Sequence, residues 1–471
     1  MAGLVDRENG SWAVVYSYKN EKGEKKQKWE TFHDFKSAKA RKAEVEYEQN
    51  NNKFIAPRDE TLKEYLSGDY LNLYAKDKWG HSVWSSNMSL MNNYIFPIIG
   101  DVKLQAFDTL MIDRYIDKLR KTHPVSTRTH KAKTEYLTEH TIDKIIRLLH
   151  CAFNQARIWN RIPSNPVDNC HAPKIKYKER DIWTLDEFKS ALDWAKENDY
   201  RMYIILNLAF CASLRAGEVC GLTWENVHIT DSDILSDAPY IEIVQIMERV
   251  SKDALENIRN PEDKPIIYKV FSPLQPNTST RLVLKKPKTD ESIRKVFIPK
   301  SVAYVLRDWA KRQEEVKSIL GKEYQDNDLV VPRNDGLPFE VRQLEKFFGD
   351  LIKATGLPKV VFHSVRHSSI TEKAHMTNDP KNVAADAGHS SSSKLTEDVY
   401  RHAQDEKRKK NAMILEEQFY SDNVTVEEPP LDTSPAPVAD ASAIFQQLQQ
   451  SPELLASLRQ MLLGNTGASA S

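Results

Sequence analysis

The stretch GHSSSSKLTEDVYRH, residues 388–402, places two histidines and a run of serines around a single tyrosine, Tyr400. Such a stretch has little meaning alone, because tyrosines are common at helix ends. Positive charge elsewhere in the chain gives it weight, since a phenol with a pKa near 10 needs a proton acceptor or a positive field to act as a nucleophile. The candidate groups upstream are Arg215, Lys288, His363 and Arg366.

The two arginines suit an attack on a phosphodiester. Guanidinium is always charged, and its fork of donors fits two phosphate oxygens. Arg215 and Arg366 could therefore clamp both non-bridging oxygens and stabilise the charge of the transition state. Lys288, which we expect near the turn of a hairpin, could protonate the leaving 5′ oxygen as a general acid. Lys285 and Lys286 remain alternatives for this acid.

Three other side chains complete the predicted site. His363 lies three positions before Arg366, which places both on one face of a predicted helix, so His363 could receive the tyrosine proton. His389 could donate a hydrogen bond to a phosphate oxygen. Glu218, one turn after Arg215, could hold that guanidinium in place, although a plain helical ion pair would look the same.

Each of these residues alone is more often structural than catalytic. The lysine lies in a basic run that is typical of a solvated hairpin, and the histidines could cap or fill a helix start. Tyr400 could simply pack its ring, and Tyr420 is a second tyrosine, with no histidine motif ahead of it. Their joint occurrence in this order favours the catalytic interpretation.

In this order the residues resemble the active site of the tyrosine recombinases, the integrases of phages and transposons. The resemblance covers roughly residues 10–420 and is most specific at His363–His367 and at Gly388–Tyr400. It implies a site-specific recombinase that cuts and rejoins DNA through a 3′-phosphotyrosyl intermediate, with Tyr400 as the nucleophile. Eleven positions separate His389 from Tyr400, which is slightly more than the family usually shows.

The predicted chemistry needs no cofactor and no metal. A phosphotyrosine stores the energy of the broken bond, so rejoining the DNA requires no ATP. The chain contains neither a G-x-x-x-x-G-K-[ST] sequence nor an H-E-x-x-H sequence.

Composition sets wider limits. A chain of 471 residues is expected to form two to four units. Lysine plus arginine and aspartate plus glutamate number 67 each, but residues 421–471 hold six acidic residues and one basic residue, so the rest carries a net charge of +5. Four cysteines without a C-x-x-C pair, and no apolar signal or membrane-spanning run, predict a cytoplasmic or nucleoid protein, and the resemblance implies a bacterial host.

Alternating aromatic residues from Trp12 to Tyr18, and a returning strand from Lys25 to Phe32, predict a small sheet. A helix is predicted from Ser37 to Gln49. The resemblance implies that residues 1–55 form a three-stranded sheet plus a helix that binds arm-type DNA sites. A solvated sheet edge is the alternative interpretation of its lysines. The predicted phosphate contacts are Lys22, Lys25, Lys26 and Lys28.

Residues 60–170 are predicted to be helical, and resemble the family's core-binding DNA domain. A basic loop between its last two helices could meet a phosphate backbone through Arg128, Lys131 and Lys133. The predicted helices are Thr61–Tyr74, Trp84–Ile95, Phe107–Thr122 and Glu139–Asn160.

Residues 178–420 are predicted to form the mixed α+β catalytic domain of the resemblance. We expect a helix from Tyr200 to Glu218, a strand from Pro239 to Val250 and a hairpin from Thr280 to Pro299. The polar segment Ser251–Ser279 is an insertion without an assigned role. Further helices are predicted at Ser301–Lys317, Val341–Gly356, Ser364–His375 and Lys381–Ala387.

The resemblance also implies which partners the chain has. By the resemblance, a homotetramer would exchange strands of two double-stranded DNA molecules through a Holliday junction, and the helix Asp405–Phe419 would dock on a neighbouring protomer. An accessory DNA-bending or directionality protein is possible, and no membrane contact is expected. Residues 421–471 are predicted to form an acidic linker and an amphipathic helix. The alternative functions are a type IB topoisomerase-like enzyme, a non-catalytic DNA-binding regulator and a helical scaffold.

Overall fold

The computed structural model describes residues 2–8, 10–19, 23–51, 53–126, 131–175, 181–258, 267–273, 278–377, 382–383, 386–388 and 408–420. The chain divides into two compact units. Unit 1 comprises Met1–Tyr177 and Asp253–Pro261, and unit 2 comprises Lys178–Lys252 and Glu262–Ser471. The finer domain boundaries expected from the sequence, at residues 55, 60, 170 and 421, stay predictions.

Unit 1 begins with an antiparallel sheet of order β1-β2-β3 that is covered on one face by helix α1. Alternation decides which face is covered, because Val14 and Tyr16 of β2 point to the side of Ala38 and Val45 of α1, and all four are buried. The predicted three-stranded sheet plus helix is thereby confirmed. The bounds are Ala2–Asp6 (β1), Trp12–Lys19 (β2), Lys25–Phe32 (β3) and Phe35–Asn50 (α1).

The rest of unit 1 is helical, as predicted. The longest helix, α7, begins after the N-cap Thr138 and buries one apolar stripe, and Tyr65 donates a hydrogen bond to Ala152 O of this helix at 2.9 Å. Two of the predicted helices continue as π-helical segments, Leu66–Ala75 and Met91–Ile95. The α-helices are Leu62–Tyr65 (α2), Lys76–Lys78 (α3), His81–Leu90 (α4), Phe96–Ile99 (α5), Thr109–Arg120 (α6) and Glu139–Ile158 (α7).

Unit 2 packs helices around two small antiparallel sheets, of order β4-β5-β9 and β6-β8-β7. Its strands are Val227–His228 (β4), Tyr240–Ile243 (β5), Ile246–Ser251 (β6), Ile267–Val270 (β7), Thr280–Lys285 (β8) and Arg294–Phe297 (β9). Its first helices are Leu185–Asn198 (α8), Tyr200–Cys211 (α9), Ala216–Gly221 (α10), Asp231–Leu235 (α11) and Lys252–Asn257 (α12, whose residues from Asp253 onward belong to unit 1). The later helices are Lys300–Leu320 (α13), Val341–Thr355 (α14) and Phe362–Thr377 (α15).

The predicted helix from Tyr200 to Glu218 is wrong, because the chain breaks between α9 and α10. Ser213 adopts a positive φ of 51°, and Arg215 is extended, with φ −76° and ψ 154°, as the N-cap of α10. The apolar periodicity continues through this break without a glycine or proline, so the usual stop signals are missing.

The predicted strand and hairpin are also wrong in their pairing. The segment from Pro239 to Val250 holds two strands, β5 and β6, which belong to different sheets. Between them the buried Gln245 amide donates to Gly221 O at 3.1 Å. Strands β8 and β9 likewise belong to different sheets, so residues 280–299 do not form a hairpin. Alternation within a strand predicts its faces but not its partner.

The segment Ser251–Ser279 contributes an additional strand. Within its described part, β7 pairs antiparallel with β8 and so forms one edge of the β6-β8-β7 sheet. Tyr268 and Val270 of β7 are half exposed.

Residues 408–420 pack in the core of their own chain, which differs from the predicted docking on a neighbour. Leu415, Phe419 and Tyr420 are buried, and Phe419 lies against the rings of Phe188 and Phe210. Residues 389–407, which include His389 and Tyr400, lie outside the described residues, as does the predicted C-terminal helix. No described helix is long and apolar enough to cross a membrane.

Candidate active site

The centre of the site is the buried carboxylate of Glu218, on the first turn of α10. It accepts hydrogen bonds from Arg215 Nη1 at 2.7 Å and from the Arg215 backbone N–H at 2.9 Å. Arg294 Nη2 of β9 donates to it at 2.9 Å, and Arg366 Nη1 of α15 lies 3.9 Å from Oε2. Burial would raise the pKa of Glu218, but Arg294 and Arg215 hold it below its ordinary value. Three guanidinium groups from three elements therefore share one anion.

Arg366 is 1% exposed, and backbone carbonyls receive its hydrogen bonds. Nη1 donates to Ser213 O at 2.5 Å, and Nη2 donates to Ala387 O. Burial and the neighbouring Arg215 lower the pKa of Arg366 to about 9, so the group stays charged at neutral pH. These two bonds use two of the five N–H donors of the guanidinium.

Three consecutive carbonyls accept from the three arginines. Asp386 O accepts from Arg294 Nε at 2.7 Å, Ala387 O accepts from Arg366, and Gly388 O accepts from Arg215 Nη2 at 3.2 Å. The arginines thus fix the backbone that immediately precedes His389, although His389 and Tyr400 lie outside the described residues.

Gly388 suits this position for two reasons. Its φ is +65°, in the left-handed region that favours glycine. A Cβ at this position would lie 3.2 Å from both Arg294 Nη1 and Glu291 O. The glycine of the Gly388-His389 pair therefore lets the chain approach the arginines and the loop that carries Lys288.

The three lysines considered as the general acid differ in burial and in ion pairs. Lys285 is buried and forms an ion pair with Glu248, and Lys286 Nζ lies 2.9 Å from Asp290 Oδ1. Lys288 is exposed in the loop between β8 and β9, and within the described part of the chain it has no ion pair.

His363 lies in the first turn of α15, on the same helix as Arg366. It is partly exposed, and its ring contacts the ring of His367 edge-on, with 4.7 Å between centroids. The rival tyrosine, Tyr420, is fully buried, and burial raises its pKa well above the ordinary value. Its hydroxyl has no hydrogen-bond partner among the described residues, so it is unsuited to attack a phosphate.

Comparison with known proteins identifies this arrangement. Residues 276–407 match the model of the phage integrase family. The chain therefore carries a phage integrase domain over these residues. The ICEBs1 integrase of Bacillus subtilis (strain 168) is 22% identical over 317 residues, which cover 65% of this chain and 76% of that protein. A XerC-like tyrosine recombinase of Caldanaerobacter subterraneus subsp. tengcongensis is 24% identical over 308 residues, or 64% and 68% of the two chains.

Solved structures share the fold. The Tn1549 transposon integrase, determined in complex with a circular intermediate DNA, superposes with a TM-score of 0.52 at 16% identity. The match covers 83% of this chain and 99% of that one. The likeness to this structure concerns the fold, whereas the family match and the two sequence relatives support tyrosine recombinase activity.

Sequence reasoning missed Arg294, which this integrase buries to 7% exposure beside Glu218. A signal was present, because strand alternation places Arg294 on the same face as Val296, which is buried. An arginine on the inward face of a strand predicts a buried acidic partner. Sequence reasoning also missed Asp386, whose carboxylate accepts from Arg408 Nε at 2.6 Å.

Three of the predicted DNA-binding lysines lie on strand β3 of the N-terminal sheet and point to its two faces. Lys25 precedes Gln27 and Trp29 on the face opposite α1, and all three are exposed. Lys26 and Lys28 alternate with them and point to the α1 side. Lys131 and Lys133 are exposed, as expected for the basic loop, whereas Lys22 and Arg128 lie outside the described residues. No described group of three or more His, Cys, Asp or Glu side chains could hold a metal ion.

Proposed function

We propose that this integrase recombines the DNA of a mobile element at specific sites through a 3′-phosphotyrosyl intermediate, with Tyr400 as the nucleophile. The main support is the meeting of Arg215 and Arg366 at one buried carboxylate, directly beside the backbone that leads to His389 and Tyr400. A preorganised pair of guanidinium groups stabilises the charge that develops on a phosphate under attack.

In the proposed reaction, Arg215 and Arg366 bind the two non-bridging oxygens. His363 accepts or steers the phenolic proton, and the Tyr400 oxygen attacks phosphorus while the bond to the 5′ oxygen breaks. Lys288 gives its proton to that leaving oxygen. In the second step the 5′ hydroxyl of the other strand gives its proton to Lys288 and attacks the phosphotyrosine. The bond from phosphorus to the Tyr400 oxygen breaks, that oxygen regains its proton from His363, and a phosphodiester is restored.

His389 donates a hydrogen bond to a phosphate oxygen in this proposal, whereas Glu218 and Arg294 act as positioning residues. Both carboxylate oxygens of Glu218 receive N–H bonds from arginines, so its charge is fixed before DNA arrives. DNA phosphate would compete with Gly388 O and Ala387 O for the donors of Arg215 and Arg366, because these carbonyls are weaker acceptors than a charged phosphate.

We further propose double-stranded DNA at core and arm sites as the substrate, and a homotetramer as the active assembly. The exposed face of the N-terminal sheet with Lys25 and Trp29 and the basic loop with Lys131 and Lys133 supply positive charge for these contacts. The Tn1549 integrase, which shares the fold, has been determined in complex with transposon right end DNA. An accessory DNA-bending protein and a bacterial cytoplasmic location belong to the same proposal.

Covalent trapping on a nicked duplex tests the function. The nick lets the downstream oligonucleotide diffuse away, so the phosphotyrosine accumulates and migrates as a protein–DNA adduct. We expect an adduct with the wild-type chain and with Tyr420→Phe, and none with Tyr400→Phe. An adduct that persists in Tyr400→Phe would contradict the assignment. Supercoil relaxation without recombination of two sites would indicate a topoisomerase instead.

A substrate with a sulfur in place of the bridging 5′ oxygen tests the role of Lys288. A thiolate leaves without needing a proton, because its pKa is far below that of an alcohol. Lys288→Ala should therefore cleave the ordinary substrate slowly and the sulfur substrate at the wild-type rate. Lys286→Ala provides the matched control and should leave both rates unchanged. If the sulfur substrate instead restored a lost cleavage rate in Lys286→Ala, the general acid would be Lys286.

A further inference from the structure

The C-terminal end of α9 poses a problem of unsatisfied carbonyls. The last four carbonyls of an α-helix have no partner within the helix, and here the end is buried. Phe210 and Cys211 are almost fully buried, and Ser213 is completely buried with a left-handed backbone. The end of α9 leads directly into Leu214 and Arg215, so whatever fixes this end also fixes the start of the first arginine motif.

Side chains of α15 donate to two of these carbonyls and to the carbonyl of Ser213, just beyond the helix. Ser369 Oγ donates to Phe210 O at 2.5 Å, Lys373 Nζ donates to Cys211 O at 2.5 Å, and Arg366 Nη1 donates to Ser213 O at 2.5 Å. Residues 366, 369 and 373 lie on one face of the helix because their spacing is three and four. The helix that carries one proposed catalytic arginine is therefore attached to the end of the helix that precedes the other.

Ser213 contacts all three of these side chains of α15. Its hydroxyl lies 2.7 Å from Ser369 Oγ and 3.4 Å from Lys373 Nζ, while its carbonyl accepts from Arg366. Lys373 is 4% exposed, and burial lowers the pKa of its ammonium, while Asp386 raises it. A methionine would fill the same volume without the cost of burying a charge. The ammonium is explained by its contacts with Cys211 O and Ser213 Oγ rather than by packing.

We propose that Lys373 is a positioning residue, which holds the end of α9 so that Ser213 orients the Arg366 guanidinium toward the scissile phosphate. A cation at a helix C-terminus is also favoured by the helix dipole. The inference rests on the proposed function, because it assumes that Arg366 binds the phosphate. Lys373 touches neither substrate nor reacting atoms in this view and acts only through Ser213 and Arg366.

Lys373→Met tests the inference, because methionine keeps the length of the side chain and removes its donors and charge. Single-turnover cleavage of a nicked duplex should slow by about tenfold to a hundredfold. A loss of this size is expected when a catalytic group is misplaced by up to about 1 Å. DNA affinity should stay at the wild-type value. Lys353→Met is the matched control, since Lys353 is exposed on α14, and it should leave the rate unchanged.

A second substrate separates positioning from general support. A methylphosphonate at the scissile position has one non-bridging oxygen and no net charge, so the arginines have less charge to stabilise. The loss caused by Lys373→Met should disappear on this substrate, as should most of the loss caused by Arg366→Lys. An equal loss on both substrates would show that Lys373 merely supports the unit and would overturn the inference. Cleavage of the phosphodiester by Lys373→Met at the wild-type rate would also overturn the inference.

Ser369→Ala decides the matter if thermal unfolding shows that Lys373→Met does not fold. It removes one hydroxyl from the same attachment and should slow cleavage of the phosphodiester more than that of the methylphosphonate. Equal rates to the wild type on both substrates would overturn the inference. Failure of the wild-type chain to form any adduct would instead refute the proposed function, so the two failures are distinguishable.

Discussion

Positive charge is organised in opposite ways in the two units of this integrase. In unit 2, the guanidinium groups of Arg294 and Arg366 are almost completely buried and share the carboxylate of Glu218. In unit 1, Lys25 and Lys26 are exposed on β3. Buried charges fixed by hydrogen bonds do not have to reorganise when a reaction occurs, whereas exposed charges can follow a phosphate backbone but are screened by salt. The first arrangement suits chemistry and the second suits binding.

Removing the central anion should have the largest effect. In Glu218→Gln, three guanidinium groups lose the carboxylate that they share. The positive charge of Arg294 stays buried but is no longer neutralised by this carboxylate. Breaking a buried ion pair costs about 3–5 kcal/mol of unfolding free energy, which urea denaturation measures. Glu242→Gln on β5 is the matched control, because the Glu242 side chain is partly exposed and lies 3.6 Å from His228, and it should change stability little. Equal stabilities of the two variants would contradict the buried network.

The same carboxylate predicts a dependence on pH. Because the folded state holds the pKa of Glu218 below its ordinary value, folding disfavours its protonation. Its contribution to stability is complete above the unfolded pKa and is lost as the pH falls through the folded pKa. The wild-type chain should thus lose more stability on acidification than Glu218→Gln, as urea denaturation between neutral and acidic pH can measure. Parallel curves for the two chains would rule out this linkage.

Replacing a fixed guanidinium with a more flexible cation should affect catalysis more than binding. Arg366→Lys keeps one positive charge but loses the fork that reaches Ser213 O and Ala387 O together. We expect cleavage of a nicked duplex to fall by about 10²–10³, the value of one preorganised donor. Arg342→Lys, an exposed position on α14, is the control. A rate loss that is matched by lost DNA affinity would place Arg366 among the binding residues.

Backbone geometry beside the arginines predicts an intermediate effect. Gly388→Ala must keep a φ of +65° and place a Cβ 3.2 Å from Arg294 Nη1, which should destabilise the chain by about 1–2 kcal/mol. Gly349→Ala on α14 has nothing within 4 Å of the new Cβ and should stabilise the helix by about 0.5–1 kcal/mol. Opposite signs of the two changes in urea denaturation are the expected result, and equal signs would refute the geometric reason.

The sequence predicted which residues meet in the buried cluster better than it predicted the backbone that carries them. Arg215, Glu218 and Arg366 were expected together, and the structure brings them to one place, because catalytic residue types in a fixed order carry family information. The break at Ser213 was missed, since no local stop signal marks it. Its cause is tertiary, as donors of α15 satisfy the carbonyls that the break exposes.

Strand partners were missed for a related reason. Alternation correctly indicated strands around residues 240–250 and 280–297, but the pairing of β8 with β6 and of β9 with β5 depends on contacts distant in sequence. The same alternation places Arg294 on the buried face of β9. An arginine in a basic segment nevertheless suggests a solvent-exposed side chain. Composition therefore does not show which charged residues are buried.

The smallest predicted effects concern the exposed lysines, and they decide which face of the N-terminal sheet meets DNA. Lys25 and Lys26 are neighbours on β3 with opposite orientations, so they form a matched pair. Helix α1 covers the side of Lys26, whereas Lys25 shares the open face with Trp29, which is half exposed. If the open face binds DNA, Lys25→Ala should reduce the salt slope of arm-site affinity by about 1, and Lys26→Ala should change it less. Cleavage of a nicked core site should be the same in both variants, because the charges proposed to act in catalysis lie in unit 2. Equal slopes would mean that DNA follows the edge of β3 rather than one face, and an unchanged slope in both variants would return these lysines to the role of a solvated sheet edge.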